Sequence, residues 1–107
     1  MKIRFSRLAV YKLEKLSEYL IEEWSEQSNL KFLKRLDSKV KTIQKNPELF
    51  PQSQLETGLR KCVVTKQTSL LYEIQTDSIF ILTLIDTRQD QKKMKEEIKK
   101  HFAQQRL

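Results

Sequence analysis

The stretch from Leu59 to Ile85, LRKCVVTKQTSLLYEIQTDSIFILTLI, decides the fold. Leu59 to Lys66 is rich in valine and threonine and reads as a strand; Ser69 to Gln75 and Ile79 to Ile85 read as the next two. The breaks at Gln67-Thr68 and Thr76-Asp77-Ser78 are short enough for hairpins, so the three strands form an antiparallel meander. Ile79-Phe80-Ile81-Leu82 is apolar without alternation, which predicts a central strand covered on both faces. Gly58, the only glycine, stands where the period changes into this meander.

Upstream, the period is helical. Lys2 to Phe5 reads as a short strand, and Ser6 as the N-cap of a helix running to about Ser25. Ala9, Leu13, Leu16, Leu20 and Trp24 recur at three and four and make one stripe. Ser28 is the expected cap of a second helix, with Leu33, Leu36, Val40 and Ile43 on its stripe. Asn46-Pro47 ends it, because proline disfavours helical geometry in the residue before it. A linker as short as Glu26 to Ser28 predicts an antiparallel helix hairpin. Downstream, Asp90 can cap a last helix from about Gln91 to Phe102, with Met94, Ile98 and Phe102 on one side. The expected class is α+β: an N-terminal strand and a helix hairpin packed on a small antiparallel sheet, with a short C-terminal helix.

A chain of 107 residues has room for one core, so residues 1–107 are read as one domain. The single cysteine, Cys62, cannot form an internal disulfide, and there is no Cys/His cluster for zinc. No metal or cofactor is expected. The charged start Met-Lys-Ile-Arg-Phe lacks the apolar run of a signal peptide, and no stretch is long enough to span a membrane. A cytoplasmic protein is the expectation. The net charge of +7 serves solubility and also suits an anionic partner: nucleic acid, a nucleoprotein surface or an acidic protein.

Familiar catalytic chemistry has little to stand on. One glycine excludes a glycine-rich phosphate loop. His101, the only histidine, lies near the C-terminus, and Cys62 sits inside an apolar strand where a reactive thiolate is not expected. Glu14, Glu18 and Glu22 form an acidic ridge on the first helix; Lys31, Arg35 and Lys39 form a basic ridge on the second. Arg60, Lys61 and Lys66 fall on the first strand of the meander, and Arg88 follows the last. These four are the candidates for contacting phosphate or a target, arginine being suited to paired hydrogen bonds. An intramolecular ion pair of Arg88 with Asp86 or Asp90 is the structural alternative. Leu8, Tyr11 and Tyr19, on a second face of the first helix, are candidates for a protein contact, or for packing on the sheet.

The segments Asn46-Pro47-Glu48-Leu49-Phe50-Pro51, Gly58-Leu59-Arg60-Lys61, Leu71-Tyr72-Glu73-Ile74, Ile79-Phe80-Ile81-Leu82 and Asp86-Thr87-Arg88-Gln89-Asp90, in that order, resemble the RelE/ParE superfamily of toxins from bacterial type II toxin–antitoxin modules. The resemblance implies growth inhibition, and neutralisation by an acidic antitoxin that wraps the toxin in a hetero-oligomer; a homodimer is also open. It also implies one of two targets. RelE-like members cut messenger RNA in the ribosome; ParE-like members block DNA gyrase and are not nucleases. The cutting members carry a tyrosine or histidine near the last strand and terminal helix, whereas here residues 87–94 offer Arg88 but neither. The sequence therefore leans to a ParE-like binding toxin. A ribosome-dependent endoribonuclease and an inactive basic adaptor are the alternatives.

Overall fold

The computed structural model describes residues 1–105. In chain order it contains β1 (Lys2–Phe5), α1 (Arg7–Glu23), α2 (Glu26–Lys45), β2 (Arg60–Val63), β3 (Thr68–Ile74), β4 (Ser78–Asp86) and α3 (Gln91–Gln105). The four strands form one sheet in the order β1-β4-β3-β2. The predicted meander β2-β3-β4 is antiparallel, and the N-terminal strand joins it by pairing parallel to β4.

β4 is central, and its first eight residues are all buried. One face of the sheet carries Leu70, Tyr72, Ile79, Ile81 and Leu84, which pack with Ala9 of α1 and with Phe32, Leu36 and Ile43 of α2. The other carries Leu71, Phe80, Leu82 and Ile85 against Met94, Ile98 and Phe102 of α3. The run of apolar residues in β4 has a second cause besides burial on both faces. Leu71 pairs with Thr83 while Tyr72 pairs with Ile81, so Leu82 is an extra residue, a β-bulge. The bulge reverses the alternation, which is why Leu84 returns to the face of Ile79 and Ile81.

Local chemistry starts and stops the helices. Ser6 caps α1 as expected: its Oγ accepts from Ala9 N at 2.9 Å and donates to the carbonyl of Leu82. Its own N–H reaches Ile81 O at 2.9 Å, so one buried serine ties the start of α1 to the central strand. The second cap is Ser25, not Ser28. Ser25 Oγ accepts from Ser28 N at 3.0 Å and donates to Ser28 Oγ, so the linker shrinks to Trp24-Ser25. Phe32, which the expected stripe omitted, is buried in the core with Leu36 and Ile43. Trp24 also departs from its stripe: it sits at the C-cap of α1 and is 71% exposed. β2 ends at Val63, so Lys66 lies in the turn to β3 rather than on a strand. Thr65 organises that turn by accepting at Oγ1 from Gln67 N and Thr68 N. Gly58 takes a positive φ of 94°, a conformation open to glycine at little cost. No described helix is long and apolar enough to cross a membrane.

Leu36 is 5% exposed and lies among Phe32, Ile43 and the sheet. Leu36→Ala should lower the stability measured by urea denaturation by about 2–5 kcal/mol. A loss below about 0.5 kcal/mol would mean that this face of α2 is not core.

Candidate functional site

The charged residues of interest gather where β4 runs into α3. The chain leaves the sheet at Asp86, and the turn that follows is built by its own side chains. Asp86 Oδ1 accepts from Arg88 N at 2.8 Å and from Arg88 Nε at 3.1 Å, and Oδ2 accepts from Arg88 Nη2 at 2.8 Å. Thr87 N donates to Gln67 O at 2.9 Å, which holds this turn against the β2–β3 turn. Asp90 then caps α3, accepting from Lys92 N at 2.9 Å and Lys93 N at 3.3 Å. The hydrogen bonds from Arg88 hold the Asp86 carboxyl below its ordinary range, partly offset by desolvation. The same bonds raise the Arg88 pKa, with a smaller contribution of the same sign from Tyr19.

Arg88 stands at the wall between two hollows on the α1 side of this end. One, of about 500 Å³, lies between Tyr11, Lys12 and Lys15 of α1 and the Leu84–Asp86 end of β4. The other, of about 430 Å³, lies between the tip of the helix hairpin and the β2–β3 turn, and includes Trp24, Lys31 and Arg35. Leu16, Tyr19, Thr68 and Arg88 line both, so the two make one furrow. Tyr11 and Tyr19 are 55% and 42% exposed, so these two are surface groups rather than sheet-packed ones. Leu8 is half-buried, in a separate hollow with Phe80, Leu82 and His101.

The remaining candidates lie elsewhere. Arg60 pairs in register with Tyr72, which faces Ile81 in mid-β4, so Arg60 and Arg88 do not meet. The Arg60 guanidinium donates to the carbonyls of Phe50 at 2.6 Å and Glu48 at 3.3 Å. Beside it the Tyr72 hydroxyl donates to Pro47 O at 2.6 Å, and burial pushes its pKa up to about 12. Arg60 and Tyr72 together pin the irregular segment after α2. Lys61 lines a third hollow with Ser53, Gln91 and Lys95, beside α3. Lys66 is exposed in the turn whose neighbours Thr65 and Gln67 line the furrow. Burial raises the pKa of the Cys62 thiol, which makes it a poor nucleophile. Among the described residues no group of three or more His, Cys, Asp or Glu could hold a metal ion.

Sequence reasoning placed Arg88 and Tyr19 among the candidates and anticipated Asp86 as a partner. It missed that Trp24, Lys31 and Arg35 share a wall with them. The available signal was a tryptophan at the last position of its helical stripe, followed by a basic ridge on the next helix.

The fold is that of a known class of bacterial toxin. A family model described as the ParE toxin of the type II toxin–antitoxin system parDE matches residues 3–91, and the chain belongs to that family. Its fold recurs in solved structures of low identity. The chromosomal ParDE system from P. aeruginosa contains a chain with 18% identity and a TM-score of 0.69, covering 80% of this chain and 95% of that one. The YoeB dimer from Staphylococcus aureus gives 20% identity, a TM-score of 0.57, and coverage of 83% and 98%. YafQ from E. coli gives 14%, 0.54, and 80% and 92%. No curated protein matches the sequence.

The sign of the Asp86 shift makes a specific prediction. A depressed carboxyl pKa favours the fold above the ordinary value of about 3.9, and that contribution disappears as pH falls through the folded-state pKa. Because the pair is solvent-screened, its effect on stability should be small. In an NMR carboxyl titration Asp86 should titrate below about 3.9 and move back up in Arg88→Ala. An unchanged midpoint in that variant would mean that Arg88 does not hold the carboxylate.

Proposed function

We propose that this toxin acts by binding an essential target, DNA gyrase, in the cytoplasm, and that an acidic antitoxin neutralises it. The observation that carries the reading is the closed Asp86–Arg88 pair. Among the described residues Asp86 is the one carboxylate lining the furrow. It is held by three hydrogen bonds from Arg88. A nuclease needs a proton acceptor for the ribose 2′-hydroxyl. Here the one carboxylate of the furrow is a weakened base, because Nε and Nη2 of Arg88 hold it in its charged form. Arg60 is spent on backbone carbonyls. Membership of the ParE family supports the same reading. Arg88 and Lys66 are then offered to the target at one end of the sheet, and Lys61 on the α3 side. The antitoxin takes the exposed side of α1, with Tyr11 and Tyr19 central and Leu8 at the margin. The solved ParDE and YoeB–YefM systems support an antitoxin partner by analogy, and the charge of +7 suits an acidic one.

One observation favours the second reading, a ribosome-dependent endoribonuclease. Tyr19 approaches Arg88 from α1 and supplies a phenol that residues 87–94 lack. The two readings separate on purified protein. A binding toxin inhibits gyrase supercoiling and leaves message on ribosomes intact. Cleaved message with unaffected gyrase would reverse the assignment, and no effect on either, or on growth after induction, would indicate an inactive adaptor. Arg88→Ala should abolish growth inhibition while its melting temperature and antitoxin affinity stay close to the parent's. A folded Arg88→Ala protein as toxic as the parent would remove Arg88 from the working surface.

A further inference from the structure

The hollow between the hairpin tip and the β2–β3 turn has a composition that neither core packing nor the gyrase reading requires. Its walls present Tyr19, Trp24, Lys31, Arg35 and Arg88, and among the described residues no carboxylate lines it. Trp24 is the only tryptophan in the chain and is the most exposed of the large apolar side chains described. It does little for the core, because its helix-ending role is played by the backbone, through Trp24 N to Leu20 O at 3.0 Å. Lys31 and Arg35, one turn apart on α2, have no ion-pair partner among the described residues, unlike Lys12, Lys15 and Lys41. Asp86 engages Nε and Nη2 of Arg88, and Nη1 stands outside that pair. The acidic ridge of Glu14, Glu18 and Glu22 contributes nothing to the lining.

Exposed aromatic rings beside unpaired cations match the requirements of an unstacked nucleic acid. Each base brings a flat apolar face that gains about 1–3 kcal/mol on an aromatic ring. Each phosphate brings a charge for a lysine or arginine. An acidic peptide would answer the cations but has no particular use for an open indole. A duplex keeps its base faces stacked and out of reach. We propose that this hollow binds single-stranded nucleic acid, with a base stacked on Trp24 and Tyr19 and the phosphates on Lys31, Arg35 and Arg88. The proposal goes beyond the gyrase reading and stands or falls separately from it.

The lone tryptophan is its own probe. Fluorescence of the full chain is titrated with an oligothymidylate of about ten nucleotides, a length within the range of single-strand sites. The same titration uses a duplex of equal charge and polyglutamate at the same ionic strength. Saturable quenching by the single strand alone is expected. In the double variant Lys31→Ala, Arg35→Ala the affinity should fall at least tenfold, and the slope of log affinity against log salt should shrink by roughly 1.4, for two lost phosphate contacts. Both positions are exposed on α2, and circular dichroism checks that the variant is folded. Binding detected by anisotropy of a labelled strand without quenching would place the contact elsewhere and overturn the proposal. So would equal quenching by duplex, an unaltered affinity in the double variant, or no binding. Quenching by polyglutamate as strong as by the single strand would reassign the hollow to an acidic protein segment.

Discussion

The rest of the structure depends on the burial of β4 on both faces. A strand with one wet face needs a single partner layer; a strand with none needs two. Ile79, Ile81 and Leu84 require the helix hairpin, and Phe80, Leu82 and Ile85 require α3. The chain therefore cannot stop at a meander plus two helices. The two helix layers, the parallel addition of β1 and the cap of α1 all anchor to this strand. Ser6 illustrates the economy: the same residue caps α1 and bonds the backbone of Ile81 and Leu82.

The bulge at Leu82 lies at the middle of β4, ahead of the end that carries Asp86. By restoring Leu84 to the hairpin face it brings the last turn of the strand under α1, where Tyr11, Lys15 and Tyr19 stand beside Leu84 and Asp86. Asp86 is the first residue of the strand that is not fully buried, and the turn beyond it is tied down by Gln67 and Asp90. Arg88 thus extends from a turn hydrogen-bonded on both sides. Across the sheet, Arg60 and Tyr72 hold the segment between α2 and β2 by its carbonyls, so the fold commits half-buried Arg60 to the backbone and leaves Arg88 more exposed.

Much of this was legible in the sequence because it rests on period and on capping chemistry. The meander, the central place of the last strand, and the caps at Ser6 and Asp90 follow from patterns of a few residues. The errors arose where two local readings compete. Ser25 and Ser28 are equally good cap residues by type, and in the structure Ser25 takes the role by accepting from Ser28 N. Lys66 follows a strand-like Val63-Val64-Thr65, but Thr65 spends its hydroxyl on a turn. Trp24 continues a spacing of four, yet lies past the last helical residue and turns outward. The parallel pairing of β1 could not be read, since it depends on contacts 76 residues apart in sequence, as between Lys2 and Ser78. The site was half legible for the same reason. Asp86 and Arg88 are neighbours in sequence, whereas the furrow takes its other walls from α1, α2 and the β2–β3 turn.

Native-state hydrogen exchange, read residue by residue by NMR, tests most directly whether the other elements depend on β4. Amides of Ile79 to Ile85 that are bonded within the sheet should exchange only through global unfolding, with the same free energy and denaturant dependence as the whole protein. Amides of α3, held on one face of the sheet alone, should open at lower free energy, while the hydrogen bonds of β4 to its neighbouring strands stay closed. If β4 amides instead exchange by local opening while α1 and α2 remain protected, the helix hairpin is the stable unit and β4 is not the element that organises the fold.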